Sequence, residues 1–276
     1  MTKLQNLHTH TTFCDGKDTP EELIRIAEEK GFDSLGFSMH SYNPYSSYGG
    51  ITREKMEAYK IAIRALKEKI HHRFPIFLGL EKDLFSPVEP YDYDYLIGSV
   101  HYLKKGNEVL AFDRGPEEVK QVIDTHFNRD GLAFARHYYE TVATLPQNAK
   151  FDILGHFDLI AKNLDSIPYF DETDPRYLNY AREAICALQG KIPFFEVNTG
   201  AIARGYRKTP YPSPLLIEEF RRRGFGVVIT SDCHDGRFLD CGFPEAEELL
   251  ASCGFREKYR LTDSGFVAEP LRGNFG

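Results

Sequence analysis

The chain has 276 residues, of which 42% are hydrophobic and 27% charged, and its formal net charge is −7. These values are typical of a soluble globular protein, and the length suits one domain over residues 1–276. The acidic balance argues against a broad surface for nucleic acid or membranes, and no apolar run is long enough to span a bilayer. Because the first residues carry no apolar signal core, we expect a cytoplasmic protein.

The five cysteines are odd in number and include no Cys-x-x-Cys pair. A disulfide framework or a thiolate zinc site is therefore not indicated. Cys14 and Cys233 lie beside candidate metal ligands. Neighbours in a strand or tight turn face different ways, so we interpret both as bystanders of the site.

The first predicted strand, residues 3–8, leads into His8-Thr9-His10. Residues i and i+2 of a strand face the same side about 6–7 Å apart. His8 and His10 can therefore direct two imidazoles at one metal ion. Taken alone, two packed or solvated histidines at a strand end explain the motif equally well.

Helices and short apolar strands alternate along the rest of the chain. Thr19-Pro20-Glu21-Glu22 predicts a helix that starts with a capping box and ends at Gly31. Asp174-Pro175 and Ser213-Pro214 predict two further helix starts. The other predicted strands are residues 34–39, 75–80, 95–100, 151–155, 191–197, 226–230 and 258–261. The other predicted helices are residues 52–70, 116–128, 132–145 and 244–253.

This alternation predicts an α/β protein with a parallel sheet, either open or closed into a barrel. Residues that commonly bind metals lie at or near the C-terminal ends of the strands: His8, His10, Asp15, His40, Glu81, His101, His156, Asp232 and His234. Side chains from so many strand ends can meet only if the strands surround a common axis, so we predict a barrel. Clustered ionisable groups are costly unless they are ligated or paired, which favours a metal site there.

In this order the motifs resemble those of the PHP (polymerase and histidinol phosphatase) metallohydrolases along essentially the whole chain. The resemblance rests on His-x-His followed by Asp15-Gly16, then His40, Glu81, His101, His156 and Asp232-x-His234. It implies a distorted (β/α)7 barrel of the PHP type, with two or three divalent metal ions at the C-terminal ends of the strands. Mixed imidazole and carboxylate ligands suit Zn²⁺, Mn²⁺ and Fe²⁺ alike.

The resemblance also implies how the ligands divide among the metals. The first ion would take His8, His10, Glu81 and Asp232. Glu81 would bridge to a second ion, held by His101 and His156. The third ion would take Asp15, His40 and His234.

Within this family the chain is most similar to members that hydrolyse L-histidinol phosphate. The stretches that carry this similarity are residues 13–16, 98–102, 138–140, 155–160 and 196–199. They imply a phosphomonoesterase of histidine biosynthesis, in which metal-activated hydroxide attacks the phosphorus of a small phosphorylated substrate. Two alternatives stay open: a phosphoesterase for another small phosphate or nucleotide, and a non-catalytic metal-binding regulatory module. Nothing in the sequence indicates an oligomeric state.

Three cations and one aromatic side chain are candidates for binding this substrate. Arg204 is the first candidate for a bidentate phosphate clamp, followed by Arg207, although both also fit a solvated basic loop. Lys162, shortly after His156, is a further cation. Tyr42 lies in an aromatic loop and either walls the substrate ring or packs within the loop.

The departing alcohol needs a proton, and Asp232 and His234 are the candidate donors. Together with Arg204, which would stabilise charge on the phosphoryl group, they form the predicted catalytic residues.

Overall fold

A computed structural model describes residues 3–45, 51–88 and 92–271. Within these ranges the strands are β1 (Gln5–Asn6), β2 (Ser34–His40), β3 (Ile76–Asp83), β4 (Tyr95–Ser99), β5 (Tyr102–Lys105), β6 (Glu108–Ala111), β7 (Ile153–Leu154), β8 (Phe194–Asn198), β9 (Gly226–Thr230), β10 (Glu257–Thr262) and β11 (Gly265–Pro270). The helices are α1 (Pro20–Glu29), α2 (Arg53–Ile70), α3 (Pro116–His126), α4 (Gly131–Val142), α5 (Pro175–Leu188), α6 (Gly200–Ala203), α7 (Pro214–Arg222) and α8 (Phe243–Ser252).

The main sheet is parallel and nearly closed. Within the described residues it has seven strands, in the order β1-β2-β3-β4-β7-β8-β9. Its two edges approach each other just beyond β1 and β9, where Thr9 and Cys233 form a parallel bridge. The backbone N–H of His10 donates to Cys233, and the N–H of Cys233 donates to His8. The predicted barrel with surrounding helices is therefore confirmed.

A buried tyrosine fills the barrel interior. Tyr95 is 1% exposed, and its hydroxyl donates to the backbone oxygens of Leu7 and Phe37. Two glycines make room for its ring: a Cβ at Gly79 would lie 2.2 Å from the ring, and one at Gly36 would lie 2.4 Å from the hydroxyl oxygen. Apolar residues of the neighbouring strands pack around this ring and fill the barrel interior. The metal-binding side chains lie beyond this apolar layer, at the C-terminal ends of the strands.

Local signals set the starts of two helices as predicted. At α1, the Thr19 side chain accepts from the backbone N–H of Glu22, and the Glu22 carboxylate accepts from that of Thr19. At α5, the Asp174 carboxylate accepts from the N–H of Arg176. Ser213 precedes α7 as predicted, but its side chain makes no capping hydrogen bond.

The sequence did not predict the antiparallel hairpin β5–β6, and it predicted only the first strand of the hairpin β10–β11. The pair β5–β6 lies between β4 and α3, and its turn at Gly106 has φ +62°. Its strands have four residues each, too short to show a clear alternation of polar and apolar residues. The pair β10–β11 contains the predicted strand 258–261, and the Gln5 side chain ties it to the barrel through Leu261.

No helix among the described residues is long and apolar enough to cross a membrane.

Candidate metal centre

The nine predicted metal ligands come together at the C-terminal ends of the parallel strands. Among the described residues, their donor atoms form three overlapping groups, and within each group the atoms lie within 4.8 Å of one another. These groups are His10, Asp15, His40 and His234; His8, His10 and Asp232; and His40, Glu81 and His101. His156 adjoins the third group through Glu81.

Glu81 lies at the middle of the centre. It belongs to β3, which continues to Asp83 rather than ending before Glu81 as predicted. Its Oε2 is 3.4 Å from His8 Nε2 and 3.6 Å from His10 Nε2. Its Oε1 is 2.9 Å from His156 Nε2, and His101 Nε2 is 3.3 Å from the same oxygen. The two oxygens therefore face different sets of histidines, an arrangement that suits a carboxylate shared by two ions.

The charges around Glu81 favour its ionised form. Burial by itself raises the pKa of this carboxyl, but the nearby rings of His40 and His8 hold it well below its usual value. His40 Nδ1 is 2.6 Å from Glu81 Oε2. Conversely, burial lowers the pKa of His40, and the charges of Glu81 and Asp15 raise it well above its usual value.

Asp232 follows β9 and has an unusual backbone. Its φ is +46°, a left-handed conformation that few residues other than glycine adopt. Its Oδ1 is 3.2 Å from His10 Nε2 and 3.6 Å from His8 Nε2, and its Oδ2 accepts from Arg204 at 2.8 Å. A second Arg204 nitrogen donates to the Asp232 backbone oxygen. Arg204 therefore anchors the aspartate at the edge of the centre.

The loop after β1 supplies Asp15 to the group of His10, Asp15, His40 and His234. Asp15 Oδ2 is 3.6 Å from His40 Nε2 and 3.4 Å from His234 Nε2. This loop folds back onto its own start, where a Cβ at Gly16 would lie 2.4 Å from the backbone of His10. The glycine of the Asp15-Gly16 motif is therefore needed for packing, because a side chain at position 16 would clash with the backbone of His10.

Two carboxylates behind the ligands were not predicted as site residues. Glu196 Oε2 is 2.8 Å from His8 Nδ1, and Glu196 Oε1 accepts from the backbone N–H of His156. Asp83 Oδ2 is 3.2 Å from His101 Nδ1. A carboxylate at Nδ1 fixes the ring and leaves Nε2 for a metal ion. The available signal was the position of Glu196 within an apolar strand, where an unpaired carboxylate is costly.

The buried polar atoms of the centre show whether its residues suit a metal ion. Within the described residues, His8 Nε2, His10 Nε2 and His156 Nδ1 are buried and have no hydrogen-bond partner, and the contact of Glu81 Oε2 with His40 Nδ1 lacks hydrogen-bond geometry. Nearly all buried polar atoms in proteins have one. Neutral imidazole nitrogens beside carboxylate oxygens are the usual ligands of Zn²⁺, Mn²⁺ and Fe²⁺, so the residues fit divalent cations.

The centre forms one wall of a cavity of about 240 Å³. The remaining wall includes Tyr102, Leu159, Lys162, Tyr206 and Tyr211. Lys162 pairs with Asp113, and its Nζ lies 4.8 Å from the centre of the Tyr206 ring. The cavity therefore combines metal-binding groups on one side with cations and aromatic rings on the other.

Only some of the predicted substrate-binding residues reach this cavity. Arg204 and Lys162 line it. Arg207 is 6% exposed and donates to both carboxylate oxygens of Glu172 and to a backbone oxygen. Tyr42 packs instead against Arg53, whose guanidinium carbon is 5.2 Å from its ring centre. The placement of Arg207 and Tyr42 argues against the predicted contacts with substrate, because buried or local partners already engage them.

The two cysteines near the ligands also have other contacts. Cys14 Sγ is 3.4 Å from His10 Nδ1, the nitrogen opposite the one that faces Asp232. Cys233 donates to the backbone oxygen of Asp235. Neither cysteine belongs to the three groups found among the described residues.

The chain is similar to one set of proteins along most of its length. A family model described as PHP domain matches residues 6–200. A probable histidinol-phosphatase of Deinococcus radiodurans is 30% identical over 93% of this chain and 96% of the relative. The histidinol-phosphatase of Bacillus subtilis is 24% identical over 89% of this chain and 98% of the relative. The crystal structure of a histidinol phosphate phosphatase from Lactococcus lactis, complexed with zinc, L-histidinol and phosphate, has a TM-score of 0.71 at 19% identity, covering 96% of this chain and 99% of that one.

Proposed function

Because the chain belongs to the PHP family, we propose that it is a metal-dependent phosphomonoesterase that hydrolyses L-histidinol phosphate to L-histidinol and phosphate. The observation that carries the reaction class is a cluster of nine metal-binding side chains, seven of which line a cavity that Lys162 and Arg204 also line. The choice of ester is supported by relatives named for histidinol phosphate that match nearly the whole chain.

The donor groups fit two ions that share Glu81, and a third at Asp15, His40 and His234. When occupied by divalent ions, these residues would provide the reaction with an activated water molecule and with positive charge for the phosphoryl group. Zn²⁺, Mn²⁺ and Fe²⁺ all suit these ligands.

The residues of the chain orient this centre and bind the anionic substrate. Glu196 and Asp83 hold the rings of His8 and His101 with Nε2 directed at Glu81. Lys162 and Arg204 place two positive charges at the cavity, where they attract and orient the phosphoryl group. An incoming phosphate competes with Asp113 for the ammonium group of Lys162.

The departing alcohol takes a proton from one of two candidate donors. The side chain of His234 is 24% exposed and that of Asp232 is 9% exposed. Both side chains line the cavity, but Asp232 Oδ2 accepts from Arg204 at 2.8 Å, whereas His234 Nδ1 lies 3.3 Å from the other terminal nitrogen of Arg204. We therefore favour His234 as the proton donor.

The proposal is tested by measuring phosphate release after reconstitution with Zn²⁺ or Mn²⁺. The substrates are L-histidinol phosphate, p-nitrophenyl phosphate and a nucleoside monophosphate. We expect kcat/KM for histidinol phosphate to exceed the other two values by about 100-fold or more, since a dedicated site gains binding energy from the whole substrate.

Two results would contradict this function in different ways. Similar slow turnover of all three esters would retain the phosphoesterase chemistry and remove histidinol phosphate as the substrate. Folded, metal-loaded protein that releases no phosphate from any ester would favour the non-catalytic alternative.

A further inference from the structure

Tyr211 lies on the cavity wall and takes no part in the proposed function so far. It is 1% exposed and lines the cavity together with Asp113, Lys162 and Arg204. Its ring centre is 6.5 Å from that of His156. The side chain therefore lies close to a metal-binding residue, on the cavity that these cations also line.

The backbone of Tyr211 is held firmly against the barrel. Its N–H donates to the backbone oxygen of Asn198 at 2.9 Å, and the Asn198 N–H donates back at 2.7 Å. Asn198 ends β8, the strand that also carries Glu196. Because strand ends are rigid elements, the position of the Tyr211 ring is defined before any substrate binds.

The hydroxyl group of Tyr211 is the unusual feature. It is buried, and among the described residues it has no hydrogen-bond partner. A buried tyrosine hydroxyl normally has one, since leaving it unpaired costs free energy. Such a cost is tolerated at functional sites when a ligand supplies the missing partner.

We propose that the Tyr211 hydroxyl donates a hydrogen bond to the phosphoryl group of the bound ester and to the phosphate product. This inference rests on the proposed phosphatase function and adds a catalytic residue to it. Phosphoryl oxygens are strong acceptors, and a phenol hydroxyl keeps its proton at neutral pH. Lys162 and Arg204 on the same cavity wall attract the same anion.

A structural alternative exists for the same hydroxyl. Asp158 Oδ1 and Arg207 Nε are also buried without partners among the described residues, and Arg207 lies 5.7 Å from the Tyr211 ring centre. A buried water molecule shared by these three atoms would satisfy Tyr211 without any substrate. The two explanations predict opposite effects of removing the hydroxyl.

The test compares Tyr211→Phe with the control Tyr139→Phe in metal-loaded protein. The Tyr139 hydroxyl is equally buried, but it donates to the Tyr177 hydroxyl at 2.8 Å and does not line the cavity. The measurements are metal content, melting temperature with and without inorganic phosphate, and kcat/KM for histidinol phosphate and p-nitrophenyl phosphate.

We expect Tyr211→Phe to keep its metal and to melt at the wild-type temperature or higher without phosphate, because an unpaired buried hydroxyl is removed. Its stabilisation by phosphate should shrink, and kcat/KM should fall about 10- to 100-fold for both esters, as for the loss of one hydrogen bond to a charged group. Tyr139→Phe should melt at a lower temperature and keep the wild-type response to phosphate.

An unchanged response of Tyr211→Phe to phosphate overturns the proposal, whatever its melting temperature. A lower melting temperature together with that unchanged response would assign the hydroxyl to the buried water. If wild-type protein shows no preference for histidinol phosphate, while Tyr211→Phe still loses its phosphate response, the substrate assignment fails and the role of Tyr211 stands.

Discussion

At the scale of single residues, the centre depends on carboxylates that direct imidazole rings. His8 lies between Glu196 at Nδ1 and Glu81 at Nε2, and His101 lies between Asp83 and Glu81 in the same way. Burial raises the pKa of Glu196, and the charge of His8 lowers it below its ordinary value, so the carboxylate stays ionised. Glu81 is common to both arrangements, which makes it the residue whose loss affects the most ligands.

We expect Glu81→Gln to lose at least one metal ion and to lower kcat by more than the 10- to 100-fold typical of losing a partner behind a ligand. An amide of the same size cannot bridge two cations, whereas the packing of β3 is retained. Metal content, kcat and melting temperature of the purified variant test this expectation.

The control for this variant is Glu140→Gln, on an exposed helix face beside Arg136. It should retain both metal and activity. If Glu81→Gln binds a full complement of metal and turns over normally, the bridging role is wrong. If it only fails to fold, the metals are structural.

At the scale of elements, helix starts anchor the loops that carry ligands. The loop containing Asp15 leads directly into α1, whose capping box joins Thr19 and Glu22. Just before it, the Asp18 carboxylate accepts from the backbone N–H of Gly236, two residues beyond His234. The start of α1 therefore lies against the loop after β9, and neither Thr19 nor Glu22 belongs to the three metal-binding groups found among the described residues.

Thr19→Ala should lower the free energy of unfolding by about 1 kcal/mol, because it removes the side chain that caps α1. For a chain of this length that corresponds to a fall of about 2 °C in melting temperature. Thermal unfolding and kcat/KM are the measurements, and kcat/KM should change less than about twofold.

Thr19→Ser is the matched variant, since serine also supplies a capping oxygen. It should restore most of the lost stability. A large loss of activity in Thr19→Ala at unchanged stability would contradict a purely structural role of the cap.

At the scale of the whole molecule, the seam between the first and last strands assembles the centre. His8 and His10 follow β1, and Asp232 follows β9, so one metal group spans the seam. Asn6 holds the seam together: its amide donates to the Ser231 hydroxyl and the Leu239 backbone, and its oxygen accepts from the N–H of His8. Closure of the barrel therefore brings the ligands of this group together.

Asn6→Ala should lower the free energy of unfolding by about 2–4 kcal/mol, since it leaves several buried polar groups unpaired. It should also weaken zinc binding, because His8 and His10 lie on one side of the seam and Asp232, which belongs to the same metal-binding group, lies on the other. Urea unfolding and competition with a zinc chelator measure the two effects.

Gln5→Ala is the matched control, because the Gln5 side chain bonds to Ser34 of β2 and Leu261 of β10, neither of which belongs to the three metal-binding groups. It should reduce stability without changing zinc affinity. Equal zinc affinities in the two variants would show that the seam does not position the ligands.

The sequence by itself determined the order of the seven strands of the main sheet and of the longer helices, the capping box at Thr19 and the set of metal-binding residue types. These are local properties, because a helix start or a His-x-His motif involves residues a few positions apart. The same local evidence underlies the family resemblance, which the match to the PHP domain confirms.

Only the tertiary structure decided how these residues meet. It directs the two oxygens of Glu81 to different histidines and brings Glu196 to His8 across 188 positions. It leaves the hydroxyl of the cavity residue Tyr211 without a hydrogen-bond partner in the part of the chain that is described. It also turns Arg207 towards Glu172 and away from the predicted substrate site. The physical reason is that the direction and pairing of a side chain depend on contacts between distant segments, which form only when the barrel closes.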